Sequence, residues 1–498
     1  MADNARQPPL SPVEHFCLFI RPVPSRILPI AASLVFLLGG CASLEQRLTE
    51  MKSASSVTAP ERWNTTAQEI GTHATAPETL SRWWQQFGDE ALDRLIEAAL
   101  SNAPDIRTAQ ATLRQSRASR DLAAANLLPS LGASAGVTRS RTGNAASQTL
   151  YTAGFDASWE PSIFGGLRDA ADAARADAAA SEASLASTQA SLAAEVALNY
   201  VTLRASQQRL AVARANVASQ AETLQIAEWR EMAGLVTRLD VEQARTNLEQ
   251  TRATISALDT ARAETEHRLA ILTGRAPGSL HESLKDARPL PVAPEEIAVG
   301  IPADTLRQRP DVRAAELTLV AEIARTAERE AERYPSLTLA GSLDWKALSI
   351  SALGGSDTLV RSLAASLAGT LFDGGRIRAR IAVQNAVQDK ALIAWEKSVL
   401  TALEDVENAM TAYANGRQRV EARRKAAVSA ANAAGLARIQ YQAGSSDFQK
   451  VLETERTLLT AQDNLASAEA DVLTAVIQLY KAMGGGWQSF ATAEEKAS

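Results

Sequence analysis

The sequence holds 498 residues with a formal net charge of −6, and only 5% of them are aromatic. That length suits about two to four domains, the charge offers no basic face to nucleic acid, and the scarcity of aromatics argues against a compact enzyme core of this size. An alanine-rich, heptad-patterned chain favours long helices meeting along narrow seams.

The only cysteines, Cys17 and Cys41, lie at the start, so no disulfide framework is available to the rest. An apolar run follows Arg21 and Arg26 and ends in Leu38-Gly39-Gly40-Cys41. It is short for a membrane span and has signal-peptide proportions. Small residues before a cysteine match the bacterial lipoprotein signal, which makes residues 1–40 a removable leader and Cys41 the acylated N-terminus. The alternative is a plain secretory leader with an incidental cysteine. Residues 41–82 are rich in Ser, Thr, Ala and Pro and read as an extended tether.

A first repeat is expected over 83–274. It opens at Trp83-Trp84-Gln-Gln-Phe87-Gly-Asp89, after which Leu92, Leu95, Ile96, Ala99 and Leu100 share one helical face. Asn102-Ala-Pro104-Asp105 stops that helix and starts another. From Pro129 the period becomes two: Leu131, Ala133, Ala135 and Val137, then Tyr151, Ala153, Phe155, Ala157 and Trp159, with Gly143-Asn144 between. These strands, about 129–160, have the length a tilted strand needs to cross a bilayer; a soluble hairpin fits the weak alternation as well. From Leu167 to Glu231 there is neither proline nor glycine, so a continuous helix would be about 95 Å long. Ala233-Gly234 bends the chain, within a turn at 233–237, and a second helix returns. Glycine past a helix end adopts the left-handed conformation without a Cβ clash. Thr237 with Asp240 fits a capping box.

Residues 275–303 are a Pro-rich linker, and a second repeat over 304–484 copies the first. Pro310-Asp311 answers Pro104-Asp105 at an offset of 206, and Gly444 answers Gly234 at 210. Its strands are expected within 335–372, in runs of about 336–347 and 358–371, and its turn at 443–447. Ser446 with Gln449 again fits a capping box. In the last helix Val451, Leu458, Leu465, Val472 and Leu479 form one heptad column, and columns headed by Thr454 and Leu452 run beside it. Three columns fit a helix with neighbours on two sides, as in a ring. Residues 485–498 form a tail.

Four strands cannot close a barrel, and open edges cannot face lipid. If the strands cross a membrane, three chains would supply twelve of them and six helical hairpins. The fold class is therefore mainly α, with a small membrane β-barrel contribution continuous with a long α-helical barrel.

The chain also resembles the TolC-type outer-membrane factors, and within them the OprM-like and NodT-like efflux lipoproteins. The carriers are Leu38-Gly-Gly-Cys41, Trp83-Trp84 to Asp89, Pro129-Ser130, Ala233-Gly234-Leu235-Val236, Leu371-Phe372-Asp373-Gly-Gly375, Tyr441-Gln-Ala-Gly444 and Leu479-Tyr480 to Trp487. The resemblance implies a homotrimeric exit duct in outer-membrane lipid with a long periplasmic part. It would dock onto a periplasmic adaptor and an inner-membrane RND-type pump. It also implies a periplasmic mouth closed near the second turn by Tyr441, Gln449, Glu453 and Arg456, with Asp240 of the first hairpin as partner to Tyr441. Threefold copies of Glu453 would repel, and Arg456, protons or a cation would offset them. Lys450 stands where some members carry a second acid. Gly234, Leu235, Val236, Gly444 and Ser445 would form adaptor-contact tips. Solvated helix charges and local turn packing are the plainer readings of these residues.

No phosphate-binding, zinc-protease or nucleophile-elbow motif occurs, and the four histidines have no ligand spacing. No enzyme activity, cofactor or metal is expected. A type I protein-secretion duct and a lipid-anchored periplasmic adaptor without a pore remain alternatives.

Overall fold

The structure is a computed structural model and describes residues 44–55, 57, 60–64, 80–294, 297 and 302–487. The leader and Cys41 lie outside the described residues, as do most of the tether, part of the linker and residues 488–498. By contacts the chain divides after Arg47; the account below concerns the unit from Leu48 onward.

The second half repeats the element order of the first, and its long helices match to the residue. Helix α1 is Leu44–Ala54, followed by a 3-10 turn at Trp83–Phe87, α2 (Glu90–Asn102), α3 (Pro104–Ala125), β1 (Ser130–Ser140) and β2 (Gln148–Trp159). The first hairpin is α4 (Gly166–Met232, 67 residues) and α5 (Arg238–Leu272, 35 residues). After α6 (His281–Leu284) and α7 (Pro302–Gln308) come α8 (Pro310–Ala331), β3 (Ser336–Ala347) and β4 (Leu359–Ala368). The second hairpin is α9 (Arg376–Gln442, 67 residues) and α10 (Phe448–Ala482, 35 residues). Each long helix is about 100 Å of uninterrupted helix, and no helix among the described residues is long and apolar enough to cross a membrane.

Two expectations are corrected here. Part of the supposed extended tether is α1. Leu48 and Met51 recur at helical spacing, and the helix is held by the second half of the molecule: Lys52 pairs with Glu316 and sits 5.1 Å from the Trp395 ring centroid, and Gln388 Nε2 lies 2.9 Å from Met51 Sδ. The linker likewise contains α6. The amide of Gln207 donates to Leu284 O at 2.7 Å, and the fully buried Arg204 donates to Asp286 O at 2.9 Å. Tertiary partners far along the sequence, not local propensity, order both segments.

The main core lies where the two ends of the chain meet. Trp83, wholly buried, stacks on Tyr480 at 5.5 Å and meets Phe87 edge-on. The hydroxyl of Tyr480 donates to Gln86 at 2.7 Å, and that of Tyr200 to Asp89 at 2.6 Å. Asp89 also caps α2 by accepting from Ala91 N. Gly485 lies so close over this cluster that an added Cβ would stand 2.9 Å from both Leu80 O and Trp83 Cδ1. Truncating a buried tryptophan of this kind costs about 3–5 kcal/mol. Beside it, the guanidinium of Arg309 is shared by Asp311 at 2.7 Å and Asp405 at 3.0 Å, and it also donates to Ala482 O. It is a second clasp between the start of α8 and the end of α10.

The four strands form one antiparallel meander in the order β1-β2-β3-β4. Its register sorts the side chains cleanly, because residues opposite one another share a face. Leu131, Val137, Tyr151, Phe155, Trp159, Leu339, Leu343, Trp345, Leu363 and Leu367 lie on one face. Ser134, Thr138, Thr152, Asp156, Thr338, Ser342, Asp344, Lys346 and Ser366 lie on the other. The apolar face is open: Leu131 is 75% exposed and Leu363 89%. Across the polar face Gly154 opposes Asp344, whose carboxylate folds over it, and an added Cβ at Gly154 would stand 2.3 Å from Asp344 Oδ1. Among the described residues, the outer edges of β1 and β4 have no partner strand. The last strand ends at Ala368, three residues before the expected end, and Leu371 and Phe372 leave the sheet almost fully exposed.

Candidate functional site

At the far end of the two hairpins the same bend is built twice. Gly234 and Gly444 have φ of 73° and 75°. The amide of Gly234 donates to Glu231 O and that of Leu235 to Arg230 O; the amide of Gly444 donates to Tyr441 O and that of Ser445 to Gln440 O. Both are the helix-ending motif in which a left-handed glycine closes the last carbonyls. No atom would lie within 4 Å of an added Cβ at either glycine, so the backbone angle alone demands the residue.

The helices restart differently. Thr237 donates from its amide at 2.9 Å and its hydroxyl at 2.8 Å to the Asp240 carboxylate, completing the expected capping box. At the second bend Asp447, not Ser446, is the N-cap, without a side-chain bond. Gln449 instead donates to Gln243 Oε1 of α5 at 2.5 Å. A partner on the neighbouring hairpin has taken the side chain that local capping would have used.

Beneath the bends, Ala227, Val241, Ala244, Ala437, Tyr441, Phe448, Val451 and Leu452 form a small separate core that joins the two hairpins. Tyr441 is its centre. Its ring lies 5.2 Å from Phe448 and under the guanidinium of Arg230 at 4.3 Å, and Arg230 also donates to Tyr441 O at 2.6 Å. The Tyr441 hydroxyl is buried without a hydrogen-bond partner, and burial pushes its pKa up. The expected Asp240–Tyr441 bond is therefore not made: Asp240 is engaged by Thr237.

The charges sort differently as well. Glu453 is exposed and pairs with Lys450 at 2.9 Å. Arg456, expected to offset Glu453, donates to Asn247 Oδ1 at 2.9 Å. An i,i+3 neighbour on the same helix reaches Glu453 more easily than a side chain aimed across to the first hairpin. Of the tip residues, Leu235 is 66% exposed, with Trp229, Met232 and Leu239 also exposed nearby. Val236, expected to be exposed, packs half-buried against the tip core. Ser445 bonds back to Gln440 O through its hydroxyl at 3.1 Å.

One turn further from the bends is a buried polar layer that sequence reasoning missed. Glu455 is 2% exposed and accepts from Thr223 Oγ1 at 2.7 Å and Arg438 at 3.5 Å, and its other oxygen has no partner. Burial raises its pKa, against the opposing pull of Thr223 and Arg438. Arg438 also donates to Ser219, and Asn216 donates to Gln462 at 2.9 Å. Further along, Arg209 grips Asp463 with two bonds of 2.6 and 3.0 Å. Apart from the two bonds of Arg438, which lies on α9, each of these joins α4 to α10. They zip one hairpin to the other within a protomer. Glu455 follows a helical charge pattern like that of its exposed neighbours, so only the packed structure reveals its burial.

A tip core with polar zips is a latch between two rods; it holds no assembled nucleophile, base or phosphate cradle. The family model described as outer membrane efflux protein matches residues 95–275 and 301–485, one span per repeat. The chain is 31% identical over 474 residues to the pyoverdine export outer membrane protein OpmQ of Pseudomonas aeruginosa, covering 92% of this chain and 96% of that one. It is similar to the solved outer-membrane channel OprN at a TM-score of 0.82 and 34% identity, over 87% of this chain and 98% of the other. The open state of the MtrE outer membrane channel of Neisseria gonorrhoeae matches at a TM-score of 0.77 and 26% identity, over 87% and 98%.

Proposed function

We propose a function from one premise: the chain belongs to the outer membrane efflux protein family, whose model matches both of its halves. It is an outer-membrane channel with a long periplasmic helical part. In our reading it works as a homotrimer, the passive exit duct of a tripartite efflux system, receiving small molecules from an RND-type pump through a periplasmic adaptor. One observation carries this reading. Among the described residues, a single protomer offers a four-stranded sheet with one apolar and one polar face and an open edge on β1 and on β4. Such edges are tolerated in hydrocarbon only when other strands close them. Three copies give a twelve-stranded cylinder with the apolar face to lipid and Asp156, Asp344 and Lys346 to the lumen.

The repeats over 83–274 and 304–484, the linker 275–303 and the lipidated N-terminus at Cys41 complete this organisation. The periplasmic mouth is the region of Asp240, Tyr441, Gln449, Glu453 and Arg456. Closure is held within each protomer by Gln449 on Gln243, Arg456 on Asn247 and Arg230 on Tyr441 O. Gly234, Leu235, Val236, Gly444 and Ser445 form the surface that meets the adaptor, Leu235 supplying the exposed apolar contact. The half-buried Leu458, Leu465 and Val472 of α10 await helices of the next copy. Purified protein in planar lipid bilayers tests the reading. Ion conductance and a trimeric mass are expected, and Gln449→Ala combined with Arg456→Ala raises conductance by removing the two side-chain bonds that cross from α10 to α5. A monomer without conductance refutes the duct; unchanged conductance in the double variant refutes the gate.

A further inference from the structure

The apolar face of the sheet carries two charges, and both are arginines. Arg139 shares that face with Val137 and opposes Thr149; Arg361 shares it with Leu363 and opposes Leu343. The other charged residues of the strands, Asp156, Asp344 and Lys346, lie on the polar face. Both arginines are exposed. Among the described residues, neither guanidinium meets a carboxylate or makes a side-chain hydrogen bond. The neighbouring Arg141 is different, since it lies beyond the strand and donates to Ala145 O.

Their height is set by the strands. Arg139 is the second residue from the loop end of β1, and Arg361 the third from the loop end of β4. The strands are staggered: Ser130 aligns through Ser158 and Ala340 with Ala364, while β4 continues to Ala368. In a tilted barrel that stagger brings strand ends to a common rim. Nine residues separate Arg139 from Ser130, about 30 Å along the strand and about 23 Å along a barrel axis tilted by about 40°. That nearly spans the apolar band of an outer-membrane barrel, about 25 Å tall. The helices lie on the opposite, periplasmic side, so this rim faces the outer leaflet.

We infer that Arg139 and Arg361 form a binding site for the phosphate groups of a phosphorylated glycolipid headgroup in the outer leaflet. The inference rests on the trimeric duct proposed above, in which β4 of one copy lies beside β1 of the next. That pairing sets the two guanidiniums on neighbouring strands at each subunit seam, three seams to a barrel. The chemistry matches on three counts. A guanidinium grips phosphate through two parallel donors. Its aliphatic stem lies along the apolar face while the head reaches the headgroup layer. A fixed cation on a lipid-facing surface without a protein anion is complemented by an anionic lipid. Because each seam is shared, the lipid would also bridge protomers.

The test uses the full-length trimer in detergent micelles containing a purified diphosphorylated glycolipid or its dephosphorylated form, with binding read by native mass spectrometry. Wild type should bind the phosphorylated lipid, with a preference of about fivefold per arginine engaged. Arg139→Gln with Arg361→Gln should abolish that preference while trimer mass and conductance in phosphatidylcholine bilayers persist. Arg139→Lys with Arg361→Lys should retain part of it. Equal binding of the two lipids by wild type overturns the site, and that comparison stands even if the glutamine variant fails to assemble. Unchanged preference in an assembled glutamine variant overturns it too, and full displacement by millimolar inorganic phosphate reduces it to a bare anion site, against the lipid assignment. A wild-type monomer without conductance would instead overturn the duct.

Discussion

Glu455 is the most informative residue to perturb, because its burial sets a sign that its exposed neighbours lack. The residue is 2% exposed, with one carboxylate oxygen bonded to Thr223 and the other without a partner. A buried polar atom left unpaired costs about 1–3 kcal/mol, more when it belongs to a charged group. Burial raises the pKa in the folded protein, so the folded state holds its proton more tightly than the unfolded chain. By linkage this contribution to stability is fully present below the unfolded pKa and is lost as pH rises through the folded value. Glu455→Gln keeps the acceptor for Thr223 and removes the charge, at the expense of the 3.5 Å contact with Arg438, which keeps Ser219 as a partner. The variant should be more stable than wild type at pH 7, by about 1–2 kcal/mol per protomer, and should lose part of the decline in stability that wild type shows as pH rises above the unfolded carboxylate's 4.5. Thermal unfolding of the detergent-solubilised protein, followed by helix signal over pH 4 to 8, measures both. A variant less stable than wild type at pH 7, with an unaltered pH profile, would show that the ion pair with Arg438 outweighs burial and would refute the reasoning.

Other outcomes follow from single contacts. Gly154→Ala drives a Cβ to 2.3 Å from Asp344 Oδ1 and 2.7 Å from Leu343 O, so β2 and β3 must separate; assembled trimer should fall sharply on native gels, and relief by adding Asp344→Ala should be only partial because the backbone clash remains. Gly234→Ala and Gly444→Ala meet no atoms, only an unfavourable backbone angle, so each should cost about 1 kcal/mol and the two should add in denaturant melts; a larger loss would mean the tips have less room than described. Cys41→Ser should abolish incorporation of radioactive palmitate, and persistent labelling would move the acylation site.

The repeat, the two long hairpins and their bends were legible because they rest on local rules: a run free of glycine and proline, a left-handed glycine, a fixed offset. The identity of the meander was legible in outline for the same reason, although only the register shows how fully Leu339, Leu343 and Leu363 continue the apolar face begun by Leu131. The proposed mouth was legible less well. Tyr441, Gln449, Glu453 and Arg456 were singled out, but their partners were not, since Arg230, Gln243 and Asn247 stand about two hundred positions away. Asp240 and Glu455 show the two directions of error. A carboxylate near a helix start is claimed by the local cap before any distant tyrosine, and a glutamate amid exposed charges can still point inward where α4 and α10 meet.

The two halves match in helix length, 67 against 67 and 35 against 35. In the trimeric duct proposed above, a tube assembled from such staves would end in a level rim, offering a docking protein six equivalent heights. Any insertion confined to one half would leave three staves proud of the others, so in that assembly length changes would have to be inherited in pairs.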